Sequence, residues 1–384
     1  MNRPATPTIT ARRVFAAVLG PALGATVLGA VLMWPSGDRP VIPAAPQGTR
    51  TLVATVTDPV PADPLNPEIL ARAGDDKISV AVPPEYLPEL HAGDRVRVMH
   101  LPDVTPGFSP YVFQDFHRGP PMALLAVLFV VLVAVVARWR GIASLLGLGF
   151  GLVVVWTFTL PALLAGRPAV WVGLVSAAAI MFVALYLSHG FSLRTSTALA
   201  GTLVGLATTA AIAAWASGAA HLTGLSDEYA LDLVAYAPAI RLRSVLLAGT
   251  LLAGLGVLND VTITQASAVW ELHEAQPAAS RGRLFAQGMR IGRDHIASTI
   301  YTIAFAYVAA TLPLVLLVSM STDVPLLQAV TSGELAEEVA RTLVGSIGLV
   351  LAIPLTTAIA ALVVTSTRPA PEPEPATLQA AGAA

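Results

Sequence analysis

Four side chains able to hold or pass a cation or a proton recur along one apolar segment. Asp260, Thr264, Ser267 and Glu271 lie at offsets of 0, 4, 7 and 11 residues. At 100° per residue those offsets share one helical face. Gly249 and Gly256 extend the same face toward its other end. The hydrophobic run that carries them, about 244–268, is long enough to cross a bilayer. A carboxylate at the centre of a membrane helix costs about 2.5–3.5 kcal/mol on insertion scales. Asp260 is therefore expected to face other helices or water. Two readings stand for it: a contact for an ion, proton or substrate, or a packing acid satisfied by a neighbouring Thr, Asn or Arg. Asn259, Thr262 and Gln265 make adjoining faces polar as well, and interhelical hydrogen bonds are a fair account of Gln265. Glu271, near the cytoplasmic end, taken alone reads as an ordinary interfacial charge.

The next span opens with Gly292-Arg-Asp-His-Ile-Ala-Ser-Thr-Ile-Tyr-Thr302. Asp294, Ser298 and Tyr301 share one face; His295, Thr299 and Thr302 share its neighbour. Asp294 also suits a first helical turn, where the macrodipole favours an acid. A cytoplasmic loop joins this span to the previous one, so the two are expected to be antiparallel and adjacent. Asp294 would then sit at the depth of Glu271, with Asp260 deeper. The result is a polar cleft opening inward. No phosphate-binding loop, zinc-protease helix or nucleophile elbow occurs, and no pair of the seven histidines has zinc-site spacing on one helix. No cysteine is present, which removes thiolate chemistry. No enzyme activity, catalytic residue, metal or cofactor is expected.

Elements able to position these residues must be membrane helices. The chain has 384 residues, 55% hydrophobic and 12% charged, with mean hydropathy +0.71. A soluble domain typically carries about twice that charged fraction. Apolar runs at 14–34, 121–137, 142–165, 169–188, 195–217, 244–268, 296–320 and 343–365 give about eight spans. The first has a positive flank, so it reads as either an uncleaved anchor, which is favoured, or a signal peptide. Pro313 and Pro354 interrupt the last two runs and suggest kinks. Gly345 and Gly348 permit close helix approach. Glu337, Glu338 and Arg341 read as an interfacial charge cluster just outside the last span. Between the first two runs, residues 35–120 are richer in proline and charge. Thr51–Thr57, Lys77–Val82 and Arg95–Leu101 carry strand patterning. Tyr111, Phe113, Phe116 and Arg118 read as an interfacial anchoring belt. The fold class expected is an all-α polytopic transmembrane bundle with a small β-rich extracytoplasmic domain. Arginine bias (Arg3, Arg12, Arg13, Arg138, Arg140, Arg194 and the 281–293 group) puts both termini in the cytoplasm and residues 35–120 outside the cell membrane. Residues 367–384, rich in Pro and Glu, are expected to be disordered.

These stretches resemble the YibE/F family of bacterial polytopic membrane proteins. A Gly-x-x-x-Asp-Val segment running on to Ala-Ser-x-x-x-Glu-Leu falls on Gly256, Asp260, Val261, Ala266, Ser267, Glu271 and Leu272. A Gly-Arg-Asp segment leading into a Thr-rich helix ending Leu-Pro falls on Gly292, Arg293, Asp294, Thr299, Thr302, Leu312 and Pro313. Glu338 to Gly348 followed by Pro354, the Pro161, Gly166, Pro168 spacing and Gly190-Phe-Ser192 also fit. The chain departs at Asn259 and Gln265, where apolar residues are expected, and at Tyr301, where a small polar one is. The resemblance implies an integral membrane protein of the predicted-permease kind and no particular substrate. The function expected is transport, ion- or proton-coupled, along a path through Asp260, Thr264, Ser267, Glu271, Asp294, Ser298 and Tyr301. The alternative is a scaffold or sensor whose β domain binds a partner or ligand. The expected partners are the lipid bilayer and an ion or small solute, with a homo-oligomer also open. A net charge of −2 offers no basic field for nucleic acid.

Overall fold

The structure is a computed structural model describing residues 9–35, 48–61, 63, 65–102, 109–226, 229–320 and 325–366. The 367–384 tail lies outside the described residues. The chain divides into two compact units, Val41–Arg138 and Met1–Pro40 with Trp139–Ala384.

The first unit holds a closed five-stranded barrel. Its strands are β1 (Arg50–Asp58), β2 (Glu68–Ala73), β3 (Asp76–Ala81), β4 (Arg95–His100) and β5 (Tyr111–Phe116), in the order β1-β2-β3-β5-β4. β1 pairs with both β2 and β4, which closes the sheet, and only β3–β5 is parallel. A short 3₁₀ helix, Pro84–Glu89, links β3 to β4. This order with a helix at that crossing is the Greek-key topology of OB-type barrels. Strand alternation turns Ala54, Val56, Ile69, Ala71, Ile78, Val80, Val96 and Val98 inward to make the core.

Three strands fall on the runs that sequence patterning marks; β2 and β5 do not. The structure corrects the reading of Tyr111, Phe113 and Phe116 as a membrane belt. They lie in β5, and Phe113 is buried in the barrel core. Its ring stands 5.1 Å from Tyr86 and 5.4 Å from Phe116. Arg118 pairs with Asp115 and lies over the Phe116 ring. An aromatic run beside an apolar span looks alike in sequence whether it closes a barrel or anchors in lipid.

α2 (Gly119–Val154) follows, with a break in its dihedrals at Arg138 (φ 55, ψ −138). A π-helical turn, Val155–Thr159, leads into α3 (Leu160–Leu164). Pro161 has no N–H to continue the ladder, and Leu160 N–H reaches back five residues to Val155 O.

The second unit is a helical bundle. It contains α1 (Ile9–Met33), α4 (Ala169–His189), α5 (Leu193–Ala219), α6 (Ala230–Tyr236), α7 (Leu242–Ala275), α8 (Arg281–Ala310), α9 (Leu312–Ser319), α10 (Leu326–Val330) and α11 (Gly333–Val364). Phe15 and Leu19 of α1 join a core with Ile180, Leu199, Leu206 and Leu258. The centre is α5, α7 and α11. It is dense because small residues face hydroxyls: a Cβ at Gly201 would strike Thr356, and one at Gly348 would strike Thr209. Gly249, Gly256 and Gly345 meet nothing within 4 Å of a built Cβ. Gly348 alone of these four thus serves packing within the chain.

Six helices among the described residues are long and apolar enough to span a membrane; α8 with α9, bent by 73°, would be a seventh. The stretch Gly119–Leu164 counts once there, at 46 residues. The break at Arg138 falls between the two runs that the sequence separates at 137 and 142. The bend between α8 and α9 is at Thr311, two residues before Pro313; Pro354 sits inside an unbroken α11.

Ion pairs and hydrogen bonds fix the helix directions. Arg194 at the start of α5 meets Glu271 near the end of α7 at 3.0 Å. Arg281 Nε donates to Thr365 Oγ1 at 3.0 Å beside the end of α11. At the other end Arg243 Nε donates to Ser217 Oγ at 2.7 Å, and Gly224 N–H to Glu337 Oε1 at 2.8 Å. Neighbours α5, α7, α8 and α11 therefore alternate in direction. Glu337, expected in an interfacial cluster outside the last span, is instead buried within α11.

Candidate functional site

The polar residues singled out by spacing sit on a helical hairpin. α7 closes at Gln276, whose N–H bonds to Leu272 O and His273 O. Ser280 caps α8 by accepting from Arg283 N–H at 3.3 Å. The connection is therefore only 276–280. This corrects the expectation of a long loop between the apolar runs 244–268 and 296–320. Arg281, Arg283, Arg290 and Arg293 make that stretch read as polar in the sequence. Leu284, Gly288 and Gly292 still recur every four residues, and all three are buried.

Gln265 is the hub of the seam. It is only 2% exposed, and its Nε2 donates to Gly288 O at 2.7 Å and Thr357 Oγ1 at 2.8 Å. Thr357 passes the bond on to Ile353 O at 2.7 Å. One amide thus ties α7 to both α8 and α11. Gly288 and Gly292 make room: Cβ atoms there would lie 2.8 Å from Thr357 Cγ2 and 2.6 Å from Ile353 Cγ2. On the α5 side, Thr262 and Thr202 share a hydroxyl bond of 2.6 Å. Each of these groups has a partner, which is what burial in a low-dielectric interior requires.

The spacing-defined face points the other way. Asp260, Thr264, Glu271, Asp294, Ser298 and Tyr301 are exposed at the outside of this single chain, and Ser267 is half-buried. The side chain of Asp260 is 70% exposed. Its Oδ2 stands 3.8 Å from Nε2 of His295 on α8, an ion pair when the imidazole is protonated. Two shielded atoms beside it, His295 Nε2 and Asn259 Oδ1, have no hydrogen-bond partner. The hydroxyls of Ser298 and Thr299 both donate to His295 O, at 3.0 and 2.8 Å.

The depths also differ from expectation. His295 faces Asp260, so its neighbour Asp294 lies at the level of Asp260. Glu271 is eleven residues further along α7, about 16 Å at the usual helical rise, and is paired with Arg194. No cleft separates α7 from α8 there, because Gln265 and Val269 fill the seam with Gly288 and Gly292. His295 and Asn259, which spacing puts on adjoining faces and outside the expected path, stand one position either side of a chosen acid. No group of three or more potential metal ligands occurs among the described residues.

A family model for YibE/F-like proteins matches residues 125–366, well over half of the chain. The chain belongs to the YibE/F-like family. The matched segment of this YibE/F-like chain includes the whole α7–α8 hairpin and α11. No curated protein matches it, and no solved structure does.

Proposed function

We propose that this protein is a multi-pass transporter of a small solute or ion, coupled to protons or another cation, with Asp260 and His295 as its exchange pair. The supporting observation is the 3.8 Å approach of Asp260 to His295, between α7, which is long and apolar enough to span a membrane, and α8, which is so together with α9. Acids and histidines placed inside spans are costly and typically mark ion or proton paths. Thr264 and Ser267 extend the path along α7, with Asp294, Ser298 and Tyr301 beside it on α8 and Glu271 at its cytoplasmic mouth. Counting α2 as two spans that meet at Arg138, and α8–α9 as one broken span, gives eight crossings of the cell membrane. Both termini are then cytoplasmic and the barrel is extracytoplasmic. The reading assigns no catalytic residue.

The test is proton flux into liposomes loaded with a pH-sensitive dye, driven by an imposed gradient. The native chain should exceed protein-free liposomes, and Asp260→Asn should return flux to background while inserting normally. Native flux at background across protons and a panel of monovalent cations would sink the reading, as would an undiminished Asp260→Asn.

A second reading, a sensor or scaffold acting through the barrel, is favoured by the closure of that barrel as a compact unit of its own. Removing residues 48–116 would separate the two: a transporter retains flux, and a sensor loses its response.

A further inference from the structure

The bend between α8 and α9 leaves a second feature remote from the Asp260–His295 pair. At Thr311 the axis turns by 73°, and a cavity of about 530 Å³ opens between α8, α9 and the first half of α11. That is within the range of small-molecule sites, roughly 300–1,000 Å³. None of the seven path residues lines it. Tyr307, on its wall, is twelve residues beyond His295, about 18 Å along α8.

The walls are mostly aliphatic, with Val315, Leu335, Val339 and Leu343 among them. The hydroxyls of Thr311, Ser319 and Thr342 donate to carbonyls three or four residues back, Tyr307 O at 3.0 Å, Leu316 O at 2.7 Å and Glu338 O at 2.9 Å. They therefore offer a ligand no free donor. What remains to recognise polarity is the Tyr307 side chain and the carboxylate of Glu338, the one charged residue in the lining. The Glu338 side chain is 14% exposed, and Arg341 holds its Oε2 at 2.9 Å from outside the lining.

We propose that this cavity binds a lipophilic cation, with Glu338 as its counter-charge and Tyr307 as its aromatic face. An apolar lining excludes well-hydrated ions, because nothing there replaces their water. Glu338 is on the wall and its partner Arg341 is not, so a ligand in the cavity meets the negative member of the pair first, which favours positive ligands over negative ones of equal size. An aromatic ring beside it adds attraction for an organic cation. The site does not rest on the transport reading, since binding here requires no flux through Asp260.

The probe is tetraphenylphosphonium, with tetraphenylborate as an anion of nearly the same shape. Equilibrium binding is measured on the full chain in nanodiscs, against empty nanodiscs. Saturable binding of tetraphenylphosphonium and none of tetraphenylborate is expected. Glu338→Gln should weaken it about tenfold, and Ala304→Phe, which fills the cavity from α8, should abolish it. The proposal is overturned if tetraphenylphosphonium shows no saturable binding, if tetraphenylborate binds equally well, or if Ala304→Phe leaves binding unchanged. The last comparison holds even where Glu338→Gln fails to fold. Asp260→Asn should bind as the native chain does, which separates a failure here from a failure of the transport reading.

Discussion

α7 carries two polar faces with opposite fates. Thr262 and Gln265 turn inward, where each finds partners on other helices. Asp260, Thr264 and Glu271 turn outward, where Asp260 stands 3.8 Å from His295 and an exposed Glu271 pairs with Arg194 at 3.0 Å. On the proposed reading, the difference separates the face that holds the bundle from the face that exchanges the ion. A buried amide with all its bonds made fixes helix spacing and register. A carboxylate 3.8 Å from an imidazole whose Nε2 has no hydrogen-bond partner can change partner without disturbing the bundle.

Substitutions that respect or violate this division should rank accordingly. The largest effect is expected from Gly292→Val, which forces side-chain atoms into Ile353 and Gln265. Overpacking of this kind costs about 1–3 kcal/mol, and unfolding in detergent should shift to a markedly lower temperature. Gln265→Leu comes next at about 1 kcal/mol, near the upper part of what interhelical hydrogen bonds in membranes contribute. A double-mutant cycle with Thr357→Val should show the two losses to be non-additive; additivity would mean that the hydrogen bond contributes nothing. Glu271→Gln loses a solvated ion pair and should cost under about 0.5 kcal/mol, with a further decrease at high salt too small to resolve. Asp260→Asn should be the mildest for stability, within about ±0.5 kcal/mol, and the most severe for flux. A strongly destabilised Asp260→Asn would break the comparison, because it would make the outward face structural too.

Much of the architecture is legible in residue order. Hydropathy marks the apolar runs, and the break at Arg138 falls between two of them. Alternation marks β1, β3 and β4. β2 and β5 escape for different reasons: Glu68–Ala73 holds a single β-branched residue, Ile69, and follows Pro67, and the aromatic β5 adjoins a span. The start of α8 escapes because arginines on its open face mask the small and apolar residues on its packed one. The Gly288-x-x-x-Gly292 spacing is itself a packing signal, hidden inside what reads as a loop. Asn259 and Gln265 are the two positions of α7 where the resemblance raised the expectation of an apolar residue. One proves to be the hub of the seam and the other lies beside Asp260.

The sequence by itself determined that this chain is a membrane protein of the YibE/F-like family, that α7 is polar on more than one face, and that Asp260 shares a stripe with Thr264, Ser267 and Glu271. Those are properties of composition and of a 3.6-residue period, which every helix carries wherever it packs. Only the tertiary structure decided which stripe is buried. The rotation of α7 about its own axis is set by how closely α5, α8 and α11 can approach it. That approach is governed by Gly205 of α5 and by Gly288 and Gly292 of α8, none of which lies on α7. A helix's own residues state which faces are polar; its neighbours' missing side chains choose the one that turns inward.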